Sequence, residues 1–490
     1  MELVNFREKW FYNEKRKCWC LTDVLYTEKA MAPEYQRLSI FVPKPYMKEK
    51  GVIDEEGRMN GYNARNVPVV FENNSAGYMQ MKHKWLDDGR CMAQQYLDCG
   101  FVYISCGNRG KESVDEHGLL CGKVPANLVD LKTAIRFLRY NQEWLPGNYE
   151  RIISVGCSAG GAMSTLLAVT GNHRDYEPYL RENGAIMEER DDVYAAQIYC
   201  PIIDLEHADL AYEWNFGADR ENEASHAGPA GVMTPFQEAL SRELRKRYIR
   251  YFNNLKLKHP QTDEILTLGD DGRSGSGYSY LMDCLENSAA DFLRRKKDSE
   301  VSDGIAVNQY VSERKEWLDW DGEQAHIRDL DIYVLEYRRR MKPCTAFDIL
   351  NGTCNENEVF GTAGHPFIHF SREVAESIQT LKESFPQEYE QYYESYRKDT
   401  VDEAQAQRVS LYNPMNYIGK GREGNAPDYY RIRVGAFDAD TSWAVSMALA
   451  LRLSEAGKNV DYALVWDQPH GQADYPGEVC GWIEQICRKE

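Results

Sequence analysis

Short apolar runs alternate with amphipathic segments through the first 205 residues. Runs rich in β-branched and aromatic residues, bounded by polar residues or proline, are typical of buried strands, and they occur at Leu38–Val42, Val69–Phe71, Phe101–Ser105, Arg151–Val155 and Ala195–Tyr199. Apolar residues at helical spacing lie between these runs, at Cys91–Cys99, Asn127–Tyr140 and Ala162–Val169. Strands that alternate with helices indicate a parallel sheet covered by helices on both faces.

The middle of the chain has a different pattern, with long charged helical segments separated by polar loops. Helices are predicted there at Phe236–Tyr251, Tyr280–Arg295 and Ser371–Tyr396. The last part returns to the first pattern, with predicted strands at Tyr430–Gly435 and Val460–Trp466 and predicted helices at Trp443–Ala456 and Trp482–Cys487. We therefore predict an α/β fold of three parts: a core begun by residues 1–205, an inserted and mainly helical lid domain at residues 206–407, and a core completed by residues 408–490.

The composition narrows the classes of function. The chain has 490 residues, of which 43% are hydrophobic and 28% charged, which fits a globular protein with a sizeable core. No apolar run approaches the roughly 18 residues of a membrane span, and the formal charge of −19 disfavours nucleic acid and anionic membranes as partners. The start of the chain shows no basic segment followed by an apolar run, so we expect a cytoplasmic protein whose 13 scattered cysteines stay reduced.

A G-x-S-x-G pattern spans Gly156–Gly160. It follows the apolar run Arg151–Val155 directly and opens the helical segment that begins at Gly161. A nucleophile elbow has this placement, because small residues permit the sharp strand-to-helix turn that exposes the serine hydroxyl. The helix N-terminus also favours negative charge that develops beside the serine. The pattern therefore predicts Ser158 as a catalytic nucleophile.

A serine nucleophile needs a histidine base and a carboxylate that orients it. In α/β-hydrolases the acid follows a late strand and the histidine follows the last one. Here Asp438 and Asp440 follow one late predicted strand, and Asp467 and His470 follow the next. Adjacent parallel strands end at the same sheet edge, so we predict His470 as the base. Asp438 is favoured as the acid because it is closest to its strand, with Asp440 second and Asp467 as a further candidate.

Acyl transfer also needs N–H donors for the oxyanion. One is expected from Ala159, the residue after the nucleophile, and another from the loop after an early strand. The glycine-rich stretch after Phe101–Ser105 favours Gly107 and Asn108 for the second donor, with a plain loop as the alternative.

This chemistry requires no metal or organic cofactor, and the spacing of cysteine and histidine residues does not match a structural zinc site.

Several stretches together resemble one known family. They are Ala32–Gln36, Cys106–Gly110, Val129–Lys132, Gly156–Ala162, Asp438–Ser442 and Pro469–Gly471. The series resembles the bacterial tannases and related lid-bearing α/β-hydrolases over nearly the whole chain. In that family a large lid lies between the two halves of the sheet, and galloyl esters are cleaved by a Ser-Asp-His triad. The resemblance implies a triad of Ser158, Asp438 and His470.

The resemblance also implies residues that hold the galloyl ring by its hydroxyl groups. Lys342 and Glu356 match the family's lysine and glutamate from the lid, with a solvated lid surface as the alternative, and Asp440 matches the aspartate beside the triad acid. We therefore expect a carboxylic ester hydrolase whose partners are small aromatic esters of the galloyl or hydroxybenzoyl type. The alternatives are a feruloyl, acetyl or other carboxylester hydrolase or an acyltransferase on the same triad, and a catalytically silent scaffold.

Overall fold

One twisted sheet organises the molecule. The computed structural model describes residues 3–73, 75–86, 92–225, 228–298, 304–352, 354–419 and 423–488. Nine strands of these residues form the main sheet, namely β1 (Phe11–Asn13), β2 (Cys18–Leu25), β3 (Arg37–Pro43), β4 (Pro68–Asn73), β5 (Val102–Cys106), β6 (Asn148–Cys157), β7 (Ala195–Tyr199), β8 (Tyr429–Gly435) and β9 (Asn459–Val465). Their order is β1-β2-β3-β5-β4-β6-β7-β8-β9. The strands from β5 to β9 in this order run parallel, and those before them are antiparallel.

Helices surround this sheet and fill the stretch between β7 and β8. The α-helices are α1 (Ala93–Asp98), α2 (Ala126–Tyr140), α3 (Ala159–Val169), α4 (Glu177–Glu182), α5 (Leu205–Phe216), α6 (Pro235–Leu255), α7 (Ser276–Lys297), α8 (Val307–Ser312), α9 (Leu330–Glu336), α10 (Asn355–Val359), α11 (Arg372–Thr380), α12 (Pro386–Thr400), α13 (Glu403–Leu411), α14 (Trp443–Glu455) and α15 (Glu478–Arg488). Two-stranded ribbons pair Met47–Lys48 with Val52–Ile53, Arg58–Met59 with Tyr62–Asn63, Glu221–Asn222 with Gly231–Val232, and Leu318–Trp320 with Ala325–Ile327. None of the helices in the described ranges is long and apolar enough to cross a membrane.

The central strands are buried on both faces. Every residue of β4 and of β7 is buried, and so is every residue of α3, which packs on β6 and β7. Parallel strands covered by helices on both sides need such continuous apolar runs rather than alternating ones. The predicted α/β fold with a mostly parallel sheet is confirmed, and it places the end of β6 in the middle of the sheet.

The predicted helix over Ser371–Tyr396 is wrong in one respect. It consists of two helices, since α11 ends at Thr380 and α12 begins with Pro386 in its first turn. Proline lacks the N–H that a helix interior requires, so it is favoured at a helix start and interrupts a continuous helix. The predicted helix over Cys91–Cys99 corresponds to α1, and Cys91 itself lies outside the described residues. The predicted division of the chain at residues 206 and 407 stays a prediction.

Candidate active site

Ser158 lies at a sharp turn between β6 and α3. Its backbone has φ 64° and ψ −126°, a combination that residues other than glycine rarely adopt. The turn is tight, because a Cβ on Gly156 would lie 2.1 Å from the carbonyl oxygen of Gly160, and a Cβ on Gly161 would lie 2.5 Å from that of Tyr199. Gly156, the first glycine of the G-x-S-x-G pattern, and Gly161 directly after the pattern are therefore required for the turn that exposes the serine hydroxyl.

The structure brings His470 and Asp438 to Ser158. Nε2 of His470 lies 2.8 Å from Oγ of Ser158, and Nδ1 of His470 lies 2.9 Å from Oδ2 of the completely buried Asp438. His470 follows β9 and Asp438 follows β8, and these strands are parallel neighbours. Such contacts allow a carboxylate to orient an imidazole that accepts a proton from serine.

Asp438 also determines the protonation of His470. Burial by itself would lower the pKa of His470, but the negative charge of Asp438 and its hydrogen bond to the ring outweigh burial, and the pKa is raised well above its usual value. The neutral imidazole, which is the form that accepts a proton, therefore requires a higher pH than a free histidine would.

The other two candidates for the acid have different partners. Oδ2 of Asp440 lies 3.9 Å from Nδ1 of His470, which is beyond hydrogen-bond distance, and the backbone N–H of Asp440 donates to Oδ1 of Asp438 over 2.7 Å. The carboxylate of Asp467 accepts a hydrogen bond from the hydroxyl of Tyr337. Of these three described aspartates, Asp438 is the one whose carboxylate is hydrogen-bonded to His470.

A cavity of about 250 Å³ opens beside the serine. The three side chains that the family resemblance implies for ring binding, Lys342, Glu356 and Asp440, all line it. The remaining lining residues are Gly77, Ser158, Ala159, Ile202, Pro343, Ala346, Ile349, Cys354, Asn355 and His470. One ammonium group and two carboxylates therefore face the same small space as the serine hydroxyl.

Two separate segments between β7 and β8 carry Lys342 and Glu356. The backbone N–H of Lys342 donates to the hydroxyl of Tyr212 on α5 over 3.1 Å, and that hydroxyl donates to the carbonyl oxygen of Ala439 over 2.9 Å. Nζ of Lys342 lies 4.0 Å from the centre of the Phe347 ring, a cation–π contact. Glu356 is the second residue of α10 and is 8% exposed. Tyr212 thus links the lysine segment directly to the loop that carries Asp438 and Asp440.

Two buried carboxylates hold the backbone around these side chains. Asp209 on α5 accepts hydrogen bonds from the three backbone N–H groups of residues 346–348 over 2.6–3.0 Å. Asp348 in turn accepts from Nδ2 of Asn357 over 2.7 Å and from the backbone N–H groups of residues 370 and 371 over 2.8 and 2.7 Å. The segments that carry Lys342 and Glu356 are therefore fixed to each other and to the core.

The prediction that Gly107 and Asn108 supply an oxyanion donor is wrong. Their backbone N–H groups donate to the carbonyl oxygens of Arg37 over 2.8 Å and of Met81 over 3.0 Å. The preceding strand, β5, is separated from β6 by β4, so the loop after β5 does not line the cavity beside the serine. The side chain of Asn108 instead accepts a hydrogen bond from the hydroxyl of Ser75 over 3.2 Å, which supports the loop after β4.

Gly77 has the position that such a donor requires. It lies in the loop after β4, the strand directly beside β6, and it lines the cavity together with Ala159. Its φ of 59° is in the left-handed region that favours glycine. Ala159 is the first residue of α3, and the first four N–H groups of a helix have no partner within it. Gly77 was not predicted from the sequence, because its position depends on the order of the strands, which places β4 beside β6 and leaves no local signal.

Among the described residues, one group of three could offer ligands to a metal ion, namely Cys200, Asp438 and His470, whose ligand atoms lie within 4.8 Å of one another. Nδ1 of His470 is already hydrogen-bonded to Asp438. Burial raises the pKa of the Cys200 thiol to about 12, which disfavours the thiolate that a metal binds. These donors fit a metal poorly, and the expectation that no cofactor is needed stays a prediction.

Comparison with known proteins identifies the family. Residues 59–223 match the BD-FAE family. A segment of 58 residues is 40% identical to the esterase LipC of Mycobacterium tuberculosis, and it spans 12% of this chain and 14% of LipC. The whole fold is similar to tannin acyl hydrolase from Lactobacillus plantarum, with 32% identity, a TM-score of 0.82, and coverage of 96% of this chain and 94% of that chain. The chain belongs to the bacterial tannase family.

Further tannases show the same similarity. The tannase of Fusobacterium nucleatum is 32% identical with a TM-score of 0.81, and the match covers 96% of this chain and 95% of that chain. Tannin acyl hydrolase in complex with ethyl gallate and in complex with 3,4-dihydroxybenzoate match at TM-scores of 0.81 and 0.80. The predicted family is confirmed, and this tannase-family protein is a carboxylic ester hydrolase.

Proposed function

We propose that this tannase-family protein is a serine esterase that cleaves galloyl or related hydroxybenzoyl esters of small molecules. The proposal rests on one observation, which is that the serine and the histidine share a cavity with the three side chains implied for ring binding. These residues are Ser158, His470, Lys342, Glu356 and Asp440. Tannin acyl hydrolases whose structures hold ethyl gallate or 3,4-dihydroxybenzoate support the same class of ligand.

Ring recognition follows from the charges in the cavity. Adjacent phenol hydroxyls donate hydrogen bonds to the carboxylates of Glu356 and Asp440, and the ammonium group of Lys342 donates to a hydroxyl oxygen. Hydrogen bonds with a charged partner are about twice as strong as neutral ones. A ring without hydroxyls forms none of these hydrogen bonds to the buried charged groups, which is the basis of strong discrimination.

Acylation uses the Ser158–His470–Asp438 arrangement. Oγ of Ser158 attacks the carbonyl carbon of the ester while Nε2 of His470 takes its proton, and Asp438 stabilises the resulting imidazolium. The backbone N–H groups of Ala159 and Gly77 donate to the oxyanion of the tetrahedral intermediate. The intermediate then loses the alcohol, which leaves with the proton from His470, and the acyl group remains on Ser158.

Deacylation repeats these steps with water as the nucleophile. His470 accepts a proton from the water that attacks the acyl group, and it then returns a proton to Oγ of Ser158 as the carboxylic acid leaves. The sum of both stages is ester plus water to acid plus alcohol. No metal or organic cofactor takes part in the proposed steps.

The proposal is tested by comparing methyl gallate, methyl 3,4-dihydroxybenzoate and methyl benzoate as substrates, with Ser158→Ala as the blank. We expect kcat/KM to be at least about 10²-fold higher for methyl gallate than for methyl benzoate, and the Ser158→Ala variant to show only background hydrolysis. Equal rates on the three esters would favour the broader carboxylester hydrolase, and so would a higher kcat/KM for methyl ferulate or nitrophenyl acetate assayed beside them. Full activity of Ser158→Ala would exclude the serine mechanism.

A further inference from the structure

The side chain of Asn355 lies beside the proposed oxyanion donors. Asn355 is the first residue of α10 and lines the same cavity as Ser158, Ala159 and Gly77. Its amide nitrogen lies 3.1 Å, and its Cγ 3.6 Å, from the point where a Cβ on Gly77 would stand. The amide therefore packs against the backbone of the residue that supplies the second proposed N–H donor.

The hydrogen-bonding capacity of this amide is not used within the described part of the protein. A side-chain amide offers two N–H donors, yet no described residue accepts a hydrogen bond from Asn355. Asn357, two residues further along the same helix, is different, because its Nδ2 donates to Asp348 and to the carbonyl oxygen of Ile368 over 2.7 and 3.0 Å. Asn355 lines the cavity, so its open donors are available to a ligand that binds there.

We propose that Asn355 donates a side-chain N–H to the carbonyl oxygen of the bound ester and to the oxyanion that forms from it, together with the backbone N–H groups of Ala159 and Gly77. The proposal rests on the serine-esterase function proposed above. Negative charge on this oxygen grows as Ser158 attacks, so a neutral donor that is already in place stabilises the transition state more than the bound ester. Asn355 transfers no proton in this step.

The position of α10 supports this assignment. Successive side chains of a helix point about 100° apart, so Asn355 and Glu356 face different parts of the cavity. Glu356 belongs with Lys342 and Asp440 in the ring-binding group, whereas Asn355 lies against Gly77. The bond between Asn357 and Asp348 fixes the helix, and with it the backbone position of Asn355 beside Gly77.

The test uses two variants and two substrates. Asn355→Ala removes the amide, and Asn355→Asp keeps its shape but replaces the donor with an acceptor. We expect both to lower kcat by about 10²–10³-fold on methyl gallate and equally on nitrophenyl acetate, which has no ring hydroxyls, while KM changes less than threefold. Asn351→Ala is the matched control, since Asn351 is exposed and outside this cavity, and it should match the native protein.

A second readout separates a catalytic role from a structural one. An organophosphonate places a phosphoryl oxygen in the oxyanion position when it reacts with Ser158, so its rate of inactivation should fall by the same factor in Asn355→Ala. A loss confined to methyl gallate would assign Asn355 to the ring instead and overturn the proposal, and unchanged rates would overturn it as well. If the native protein hydrolyses neither ester, the proposed function fails; a normal native rate with a normal Asn355→Ala rate refutes only this inference.

Discussion

At the scale of single residues, the backbone strain at Ser158 is offset by contacts on both sides of the turn. A residue held in a sparsely populated backbone conformation costs about 1–3 kcal/mol. The N–H of Ser158 donates to the carbonyl oxygen of Tyr199, and its own carbonyl oxygen accepts from the N–H of Ala162, each over 3.0 Å. The hydroxyl is thus oriented by the fold before a substrate arrives.

A second Ser–His–Asp arrangement shows that such contacts do not by themselves make a catalytic site. Oγ of Ser39 lies 2.7 Å from Nδ1 of His83, and Nε2 of His83 lies 3.2 Å from Oδ1 of Asp23. Ser39 lies in the middle of β3 and is completely buried. It has neither a turn that exposes it nor a helix N-terminus behind it, so no substrate carbonyl reaches its hydroxyl.

The two aspartates beside His470 should respond differently to substitution. We expect Asp438→Asn to lower kcat on every ester by about 10³–10⁴-fold, because the imidazole loses the carboxylate that orients it and stabilises its charge. Asp440→Asn should lower kcat/KM on methyl gallate by about tenfold and leave nitrophenyl acetate within twofold. Steady-state kinetics on the two substrates measure both effects, and equal losses on nitrophenyl acetate would contradict this division of roles.

The pH profile provides the control for this comparison. The carboxylate of Asp438 raises the pKa of His470, so activity of the native protein should increase as pH rises through that value and the imidazole becomes neutral. Without the negative charge of Asp438 the pKa of His470 falls, so the acid limb of kcat/KM for Asp438→Asn should move to lower pH. If the acid limb of Asp438→Asn stays at the native pH, the carboxylate of Asp438 does not raise the pKa of His470.

At the scale of elements, the ring-binding side chains depend on two segments that contact each other through Asp348. Asp348 lies in the segment that follows Lys342, and its carboxylate accepts a hydrogen bond from Nδ2 of Asn357 on α10. Its backbone N–H donates to Asp209, which connects this segment to α5. Neither segment reaches the cavity through regular pairing with the main sheet. Their position is therefore determined by a few buried hydrogen bonds.

We expect Asp348→Asn to weaken substrate selection while leaving the chemistry intact. An amide cannot accept through both of its terminal atoms, so part of the bonding to Asn357 or to residues 370 and 371 is lost. KM for methyl gallate should rise about tenfold, and kcat/KM for nitrophenyl acetate should stay within twofold. The control is Asp399→Asn, since among the described residues Asp399 accepts a hydrogen bond only from the backbone N–H of His369. A parallel loss on both esters would indicate general destabilisation.

Much of the core was predictable, because strands buried on both faces leave continuous apolar runs. Ala195–Tyr199 was predicted with the bounds of β7, and Ser158 was recognisable since the elbow needs small residues in a fixed local order. The loop of the second proposed oxyanion donor could not be predicted in this way, because the choice between Gly107 and Gly77 depends on which strand lies beside β6. That order follows from packing between distant parts of the chain and has no local pattern.

At the scale of the whole molecule, the negative net charge of the protein should affect the proposed ester substrate and its acid product differently. The proposed ester substrate is neutral and the acid product is an anion, which the formal charge of −19 repels from the surface. Salt shortens the screening length from about 30 Å at 0.01 M to about 8 Å at 0.15 M. We expect the inhibition constant of gallate to fall about two- to threefold over this range, while KM for methyl gallate stays constant. Equal changes in both constants would contradict this explanation.

The order of the strands also has a consequence for synthesis of the chain. β7 ends at Tyr199, but its neighbour β8 begins only at Tyr429. A ribosome that adds about 5–20 residues per second needs on the order of 10–50 s for the roughly 230 residues between them. During that interval the nascent chain exposes an apolar strand with one unpaired edge, which is a template for aggregation. Translation speed and chaperone supply should therefore influence the yield of folded protein.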